Sequence, residues 1–163
     1  MTRDLYETPE NTREESRFCD DLAQRWGVTM RKLAPQYSID RLCFRDGEDA
    51  VAALEVKCLK KTYSKCVHYG DSYLNFEKYL ALQNFAAVGL PSIYAVRLID
   101  GDFFYKVTIG EHCTVRLVGR IDRGDPLDIK PVVRLSWDKF KRVSGASDHI
   151  MRELEMGGKE KTK

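Results

Sequence analysis

No apolar run in these 163 residues approaches the roughly 20 needed to span a bilayer, which argues against a membrane-embedded chain. There is no surplus of one charge either. Twenty-seven lysines and arginines against 25 acids leave +2, so there is no global basic signature, and any contact with nucleic acid must come from local patches. The opening residues, Met-Thr-Arg-Asp-Leu-Tyr-Glu, carry no apolar secretory core. The five cysteines, Cys19, Cys43, Cys58, Cys66 and Cys113, are odd in number and form no Cys-x-x-Cys pair. That speaks against a disulfide framework and for a reducing cytoplasm. Cys58, Cys66, His68, His112 and Cys113 fit no zinc-finger spacing. Cys58 and Cys113 fall in strand-like runs, where a small buried thiol is the plain reading. Repeats and low-complexity stretches are missing too.

What is present is an ordinary globular composition, 43% hydrophobic and 32% charged. The length suits one domain over residues 1–150, followed by a flexible charged tail at 151–163, rich in Gly, Lys and Glu.

The most informative stretch is residues 37–57. Two apolar-rich runs, 37–44 and 50–57, flank Asp46-Gly47, a strong hairpin signal. Alternation puts Glu55 and Lys57 on one face and Leu54 and Val56 on the other. A two-residue loop pairing 45 with 48 sets Asp40 opposite Ala53, diagonal to Glu55. A four-residue loop pairing 45 with 50 sets Asp40 opposite Glu55. Both leave Asp40, Glu55 and Lys57 as neighbours on one face, whereas a loop of odd length or a bulge would break the pattern. Two adjacent carboxylates repel and need a counter-charge. Lys57 supplies part of it. A hard divalent cation supplies it better, and Mg²⁺ takes one or two carboxylates, waters and substrate phosphate. Metal, phosphate and an adjacent lysine suggest phosphodiester hydrolysis. Glu-x-Lys alone is more simply a surface ion pair, and it is Asp40 in register that draws the reading toward a site.

Upstream, Thr12 and Glu15 read as a capping box opening a helix that runs to Trp26 and stops at Gly27. Phe18, Cys19, Leu22, Ala23 and Trp26 form its apolar stripe. Glu15 lies on that stripe, as a capping partner, a further acidic ligand, or both, whereas Glu14 should face water. Residues 28–33 read as a strand ended by Pro35.

Downstream, residues 58–70 read as a basic, aromatic loop carrying Lys60, Lys61, Tyr63 and Lys65, either simply solvated or placed to hold a phosphate backbone at the mouth of the carboxylate site. A helix over 73–88 follows, capped by Ser72 or Asp71. Lys78 and Gln83 interrupt its apolar rows, either by snorkelling and backbone satisfaction or as contacts at the site edge. Residues 92–99 are a strong strand, and the helix before it makes it a parallel neighbour of 50–57. A hairpin through Asp100-Gly101 leads to 103–109. Residues 113–118 and 131–135 read as edge strands, and 137–143 as a short helix.

This order resembles the PD-(D/E)xK nuclease superfamily. The motif stands as Ile39-Asp40 and Glu55-Val56-Lys57, with Glu15 in the preceding helix and Ile39 where the family name has proline. Residues 37–98 are most similar to the branch of archaeal-type Holliday-junction resolvases and phage nucleases. There the basic segment, Lys78, Gly89-Leu90-Pro91 and Ala95-Val96-Arg97 have counterparts. The resemblance covers roughly residues 12–99. It implies an α/β, restriction-endonuclease-like core, a central mixed sheet flanked by helices. It implies DNA cleavage with Mg²⁺, Mn²⁺ substituting. Asp40 and Glu55 would bind metal with the Val56 carbonyl, and Glu15 would assist directly or through water. Lys57 would act on the attacking water. Lys60, Lys61, Tyr63, Lys65, Lys78 and Gln83 would meet DNA. The branch also implies a homodimer, for which the outer face of helix 73–88 and the edge near 103–118 are candidates. Two rivals remain: a nucleic-acid-binding or assembly module that keeps the fold without cleaving, and a structural protein whose hairpin carries an ion pair.

Overall fold

The computed structural model describes residues 8–120, 122 and 124–143. The expected domain end at 150 and the tail at 151–163 lie outside them. Helix α1 (Pro9–Trp26) leads into strands β1 (Thr29–Lys32), β2 (Arg41–Phe44) and β3 (Ala50–Cys58). Helix α2 (Tyr63–Tyr69), strand β4 (Ser72–Asn75) and helix α3 (Phe76–Ala87) follow. Then come β5 (Ser92–Leu98), β6 (Gly101–Val107), β7 (Thr114–Val118), β8 (Lys130–Leu135) and β9 (Lys141–Arg142). Among the described residues no helix is long and apolar enough to cross a membrane.

The main sheet has the order β1-β2-β3-β5-β6-β9. Among the described residues only β3 and β5 pair in parallel, Glu55 standing against Tyr94 and Lys57 against Val96. The crossover expected from the helix between them is therefore present. Residues 52–56 are all buried, as a strand covered on both faces requires. On one face, Leu54 and Val56 pack with Phe18, Cys19, Leu22 and Trp26 of α1. On the other, Ala53, Tyr94 and Val96 pack with Tyr79 and Leu82 of α3 and with Val133 and Leu135 of β8. Glu55 and Lys57 belong to this second face by alternation.

Several local expectations are corrected. Helix α1 begins at Pro9, not after Thr12. Thr8 caps it, its hydroxyl accepting from the Asn11 N–H, and Pro9 sits where a missing N–H costs nothing. Thr12 instead donates its hydroxyl to the Thr8 carbonyl, which leaves Glu15 inside the helix rather than in a capping box. Glu14 is half-buried. The helix ends as expected at Gly27, whose φ of 61° is left-handed and whose N–H closes on Ala23 and Gln24. The basic segment is a loop only to Thr62 and then becomes α2. The helix expected over 73–88 starts at Phe76. Ser72 and Leu74 are buried while Tyr73 and Asn75 are half-buried, a period of two, and these residues pair with β8. Strands β7 and β8 do not extend the main sheet but join β4 in a second one, ordered β4-β8-β7. Residues 137–143 form a single tight turn and the short strand β9 rather than a helix.

Candidate metal centre

The hairpin β2–β3 places the two carboxylates. The loop over 45–49 has five residues, an odd length that should turn Asp40 away from Glu55. A bulge corrects it. Phe44 pairs with Ala50, but Cys43 pairs with Ala52 and Arg41 with Leu54, so Val51 is the extra residue. The register beyond the bulge is that of the four-residue loop, with Asp40 opposite Glu55. Residues 35–37 form a tight turn rather than the start of the strand, so Asp40 stands at the mouth of β2.

The carboxylates are held by each other's backbone. The Asp40 N–H donates to Glu55 Oε2 and the Val56 N–H to Asp40 Oδ2, both at 3.1 Å. The two remaining oxygens converge on one cation. Lys78 Nζ donates to Asp40 Oδ1 at 3.4 Å and to Glu55 Oε1. Lys78 comes from the inward row of α3, one turn before the fully buried Leu82. Its side chain is 36% exposed, that of Asp40 25% and that of Glu55 only 5%. The ammonium thus bridges a buried carboxylate to the surface.

Burial pushes the Glu55 carboxyl up to about 8, with the Asp40 carboxylate adding to the shift and Lys78 opposing it. Desolvation alone would lower the Lys78 ammonium, but attraction to Glu55 and Asp40 outweighs it and the net shift is upward. Lys57 reaches solvent from the Glu55 face. Its ammonium is lowered, first by the protein around its stem, against the pull of Glu55 and with repulsion from Lys61 and Lys78. Behind the pair, Tyr94 is fully buried.

Glu15 does not complete a three-carboxylate cage. It is half-buried on α1, the helix packed on the opposite face of β3. Among the described residues no three of His, Cys, Asp and Glu are arranged to hold a metal. The residues present still fit a divalent cation. Two carboxylate oxygens aim at one point already taken by a positive charge, and the other two are fixed by N–H donors. Such a pair is what Mg²⁺ asks of a protein, with waters and phosphate completing the shell.

Of the residues expected to meet DNA, Lys60, Lys61 and Lys65 are exposed. Tyr63 is not offered to a ligand: its ring stacks on Phe103 at 4.7 Å and meets Trp137 edge-on. Gln83 spends its amide N–H groups on the Tyr79 hydroxyl and the Thr108 carbonyl. Tyr79 and Tyr105 both donate to Glu111, so this network ties the segment after β6 to α3. Cys113 closes on the Tyr79 hydroxyl at 3.0 Å. Lys78 was visible in the sequence as a charge in an apolar row, but nothing there gave its two partners.

A family model described as "Phage putative PDDEXK endonuclease" matches residues 1–143 of the chain. Among solved structures, the fold is similar to that of Hjc, a Holliday junction resolvase from the archaeal hyperthermophile Archaeoglobus fulgidus. The TM-score is 0.52 and the identity 17%, over 85% of this chain and 95% of that one. No curated protein matches the sequence.

Proposed function

The chain belongs to the PDDEXK endonuclease family of phages, and we propose that it is a Mg²⁺-dependent deoxyribonuclease that cuts branched DNA of the kind formed in replication and recombination. The observation that carries this reading is the convergence of Asp40 Oδ1 and Glu55 Oε1 on one cation, beside Lys57 on the same face. The resolvase-like fold supports a branched substrate.

Asp40 and Glu55 would hold the metal, Mg²⁺ or Mn²⁺, with the Val56 carbonyl as a further ligand and Glu15 acting through water. The bound cation would supply a more acidic water and a polarised phosphoryl oxygen. Lys57 orients the attacking water and meets the charge that grows on the phosphate, and its lowered affinity for a proton suits it to trade one. Lys60, Lys61 and Lys65 line the approach and hold the phosphate backbone without reading sequence. The site of action is the cytoplasm of a bacterium or of a phage-infected cell. A homodimer suits an enzyme that must cut two strands.

A second reading has one observation in its favour. Lys78 satisfies both carboxylates, as an ion pair in a non-catalytic DNA-binding or assembly module would. Cleavage of a panel of linear duplex, single strand, flap and four-way junction with Mg²⁺ or Mn²⁺ separates the two. Metal-dependent nicking of branched DNA that is lost in Asp40→Asn and Lys57→Ala supports the nuclease. DNA binding without cleavage, unaffected by either substitution, supports the module.

A further inference from the structure

We propose that Lys78 is the resident counter-cation of the metal-free centre, displaced when a divalent cation enters and then available to a DNA phosphate. The proposal rests on the nuclease reading and assigns Lys78 a positioning role within it.

The competition is for two atoms. Asp40 Oδ2 and Glu55 Oε2 each already accept a backbone N–H, so Oδ1 and Oε1 are the oxygens left most open to a cation, and Lys78 Nζ takes both. Mg²⁺ binds carboxylate oxygens at about 2.1 Å in a near-octahedral shell. An ammonium at hydrogen-bond distance from the same two oxygens stands inside that shell. Metal and Lys78 therefore exclude one another.

The displaced side chain has somewhere to go. Lysine carries its charge on a flexible four-carbon stem, and Lys78 already reaches the surface. Its surroundings on that side are basic. Lys57 stands on the same face of β3 as Glu55 and is repelled by both Lys61 and Lys78. Once free of Asp40 and Glu55, Lys78 faces other cations, and an anion is the partner that this neighbourhood would attract. A phosphodiester bound there would lie among Lys57, Lys61 and Lys78.

The test uses the intact wild-type protein. Brief acetylation with a small amine-reactive reagent, read by mass spectrometry, is compared without metal, with Ca²⁺, and with Ca²⁺ plus a four-way junction. Lys60 serves as the exposed reference. The expected result is weak labelling of Lys78 without metal, a rise of about tenfold with Ca²⁺, and protection again with DNA. Lys78 labelling that Ca²⁺ leaves unchanged overturns the proposal. Calorimetric titration of DNA-free protein with Ca²⁺ gives the second arm. Lys78→Met should bind Ca²⁺ about threefold tighter or better, having lost its internal competitor. Equal or weaker binding by that variant overturns the proposal while leaving the nuclease reading intact. Failure of wild type and variant alike to bind Ca²⁺ or Mg²⁺ removes both.

Discussion

Two clusters of opposite charges sit on opposite faces of the main sheet, one on β5–β6 and one on β2–β3. On the α1 face, Arg97 grips Asp102 with Nε and Nη2 at 2.8 and 3.0 Å and reaches Asp21 at 2.7 Å, while Arg25 adds a third donor to Asp102 at 3.0 Å. The Arg97 guanidinium also lies 4.6 Å from the centre of the Phe18 ring. Two arginines meet two aspartates, and the planar fork is matched by carboxylate edges. On the α3 face, Asp40 and Glu55 share the single ammonium of Lys78, and Glu55 is the more buried of the two. The first cluster closes on itself and holds α1 to the β5–β6 hairpin. The second aims two acceptors at one point, with Lys57 beside it on the same face of β3. A balanced, forked cluster does structural work. An underfilled one held by N–H donors is poised for a ligand.

That contrast can be broken from either side. The largest effect is expected on catalysis. Lys57→Ala should slow cleavage by about 10²–10⁴-fold with the fold intact, checked by single-turnover rates and circular dichroism. Arg97→Met should do the reverse. It leaves the buried Asp102 with Arg25 alone, and the loss should be about 3 kcal/mol in urea unfolding, with the cleavage rate of the folded fraction unchanged.

The next effect is on pH dependence. Glu55 has a folded value of about 8 against 4.5 for an unperturbed glutamate. Between those values the folded protein keeps a proton that the unfolded chain gives up. Stability of the metal-free protein should therefore fall as pH rises from about 4.5 to about 8 and level off above. Glu55→Gln should flatten this contribution, seen as a difference between the two stability-against-pH curves. The smallest effect is electrostatic. Replacing Lys60, Lys61 and Lys65 with alanine should weaken binding to all DNA structures alike and reduce the salt slope by about one per lysine that met a phosphate.

The sequence carried the carboxylate pair further than its own arithmetic warranted. Alternation along 50–57 placed Glu55 and Lys57 on one face, and hairpin logic brought Asp40 beside them. The five-residue loop would have undone this but for the bulge at Val51, which no pattern of residue types announced. The parallel pairing of β3 with β5 was legible because a helix separates two strongly apolar runs. Other features were hidden for definite reasons. Thr12 and Glu15 imitate a capping box, but Thr8 followed by Pro9 makes the better start. Strand β4 is four residues long and runs straight into α3, so helical periodicity swallowed it. Tyr63 sits in a basic segment, yet its ring is drawn inward by Phe103 and Trp137, which are distant in sequence. The partners of Arg97 and Lys78 come from other elements, and charge pairing over such separations leaves no local signature.

The most direct test of the centre is the position of the metal itself. Crystals of the protein soaked in Mn²⁺ and measured for anomalous scattering should show a peak between Asp40 Oδ1 and Glu55 Oε1, with the Lys78 ammonium moved off both. No peak there at saturating Mn²⁺, with Lys78 still bridging the two carboxylates, would contradict the account: the pair would then be an ion pair of the fold rather than a metal centre.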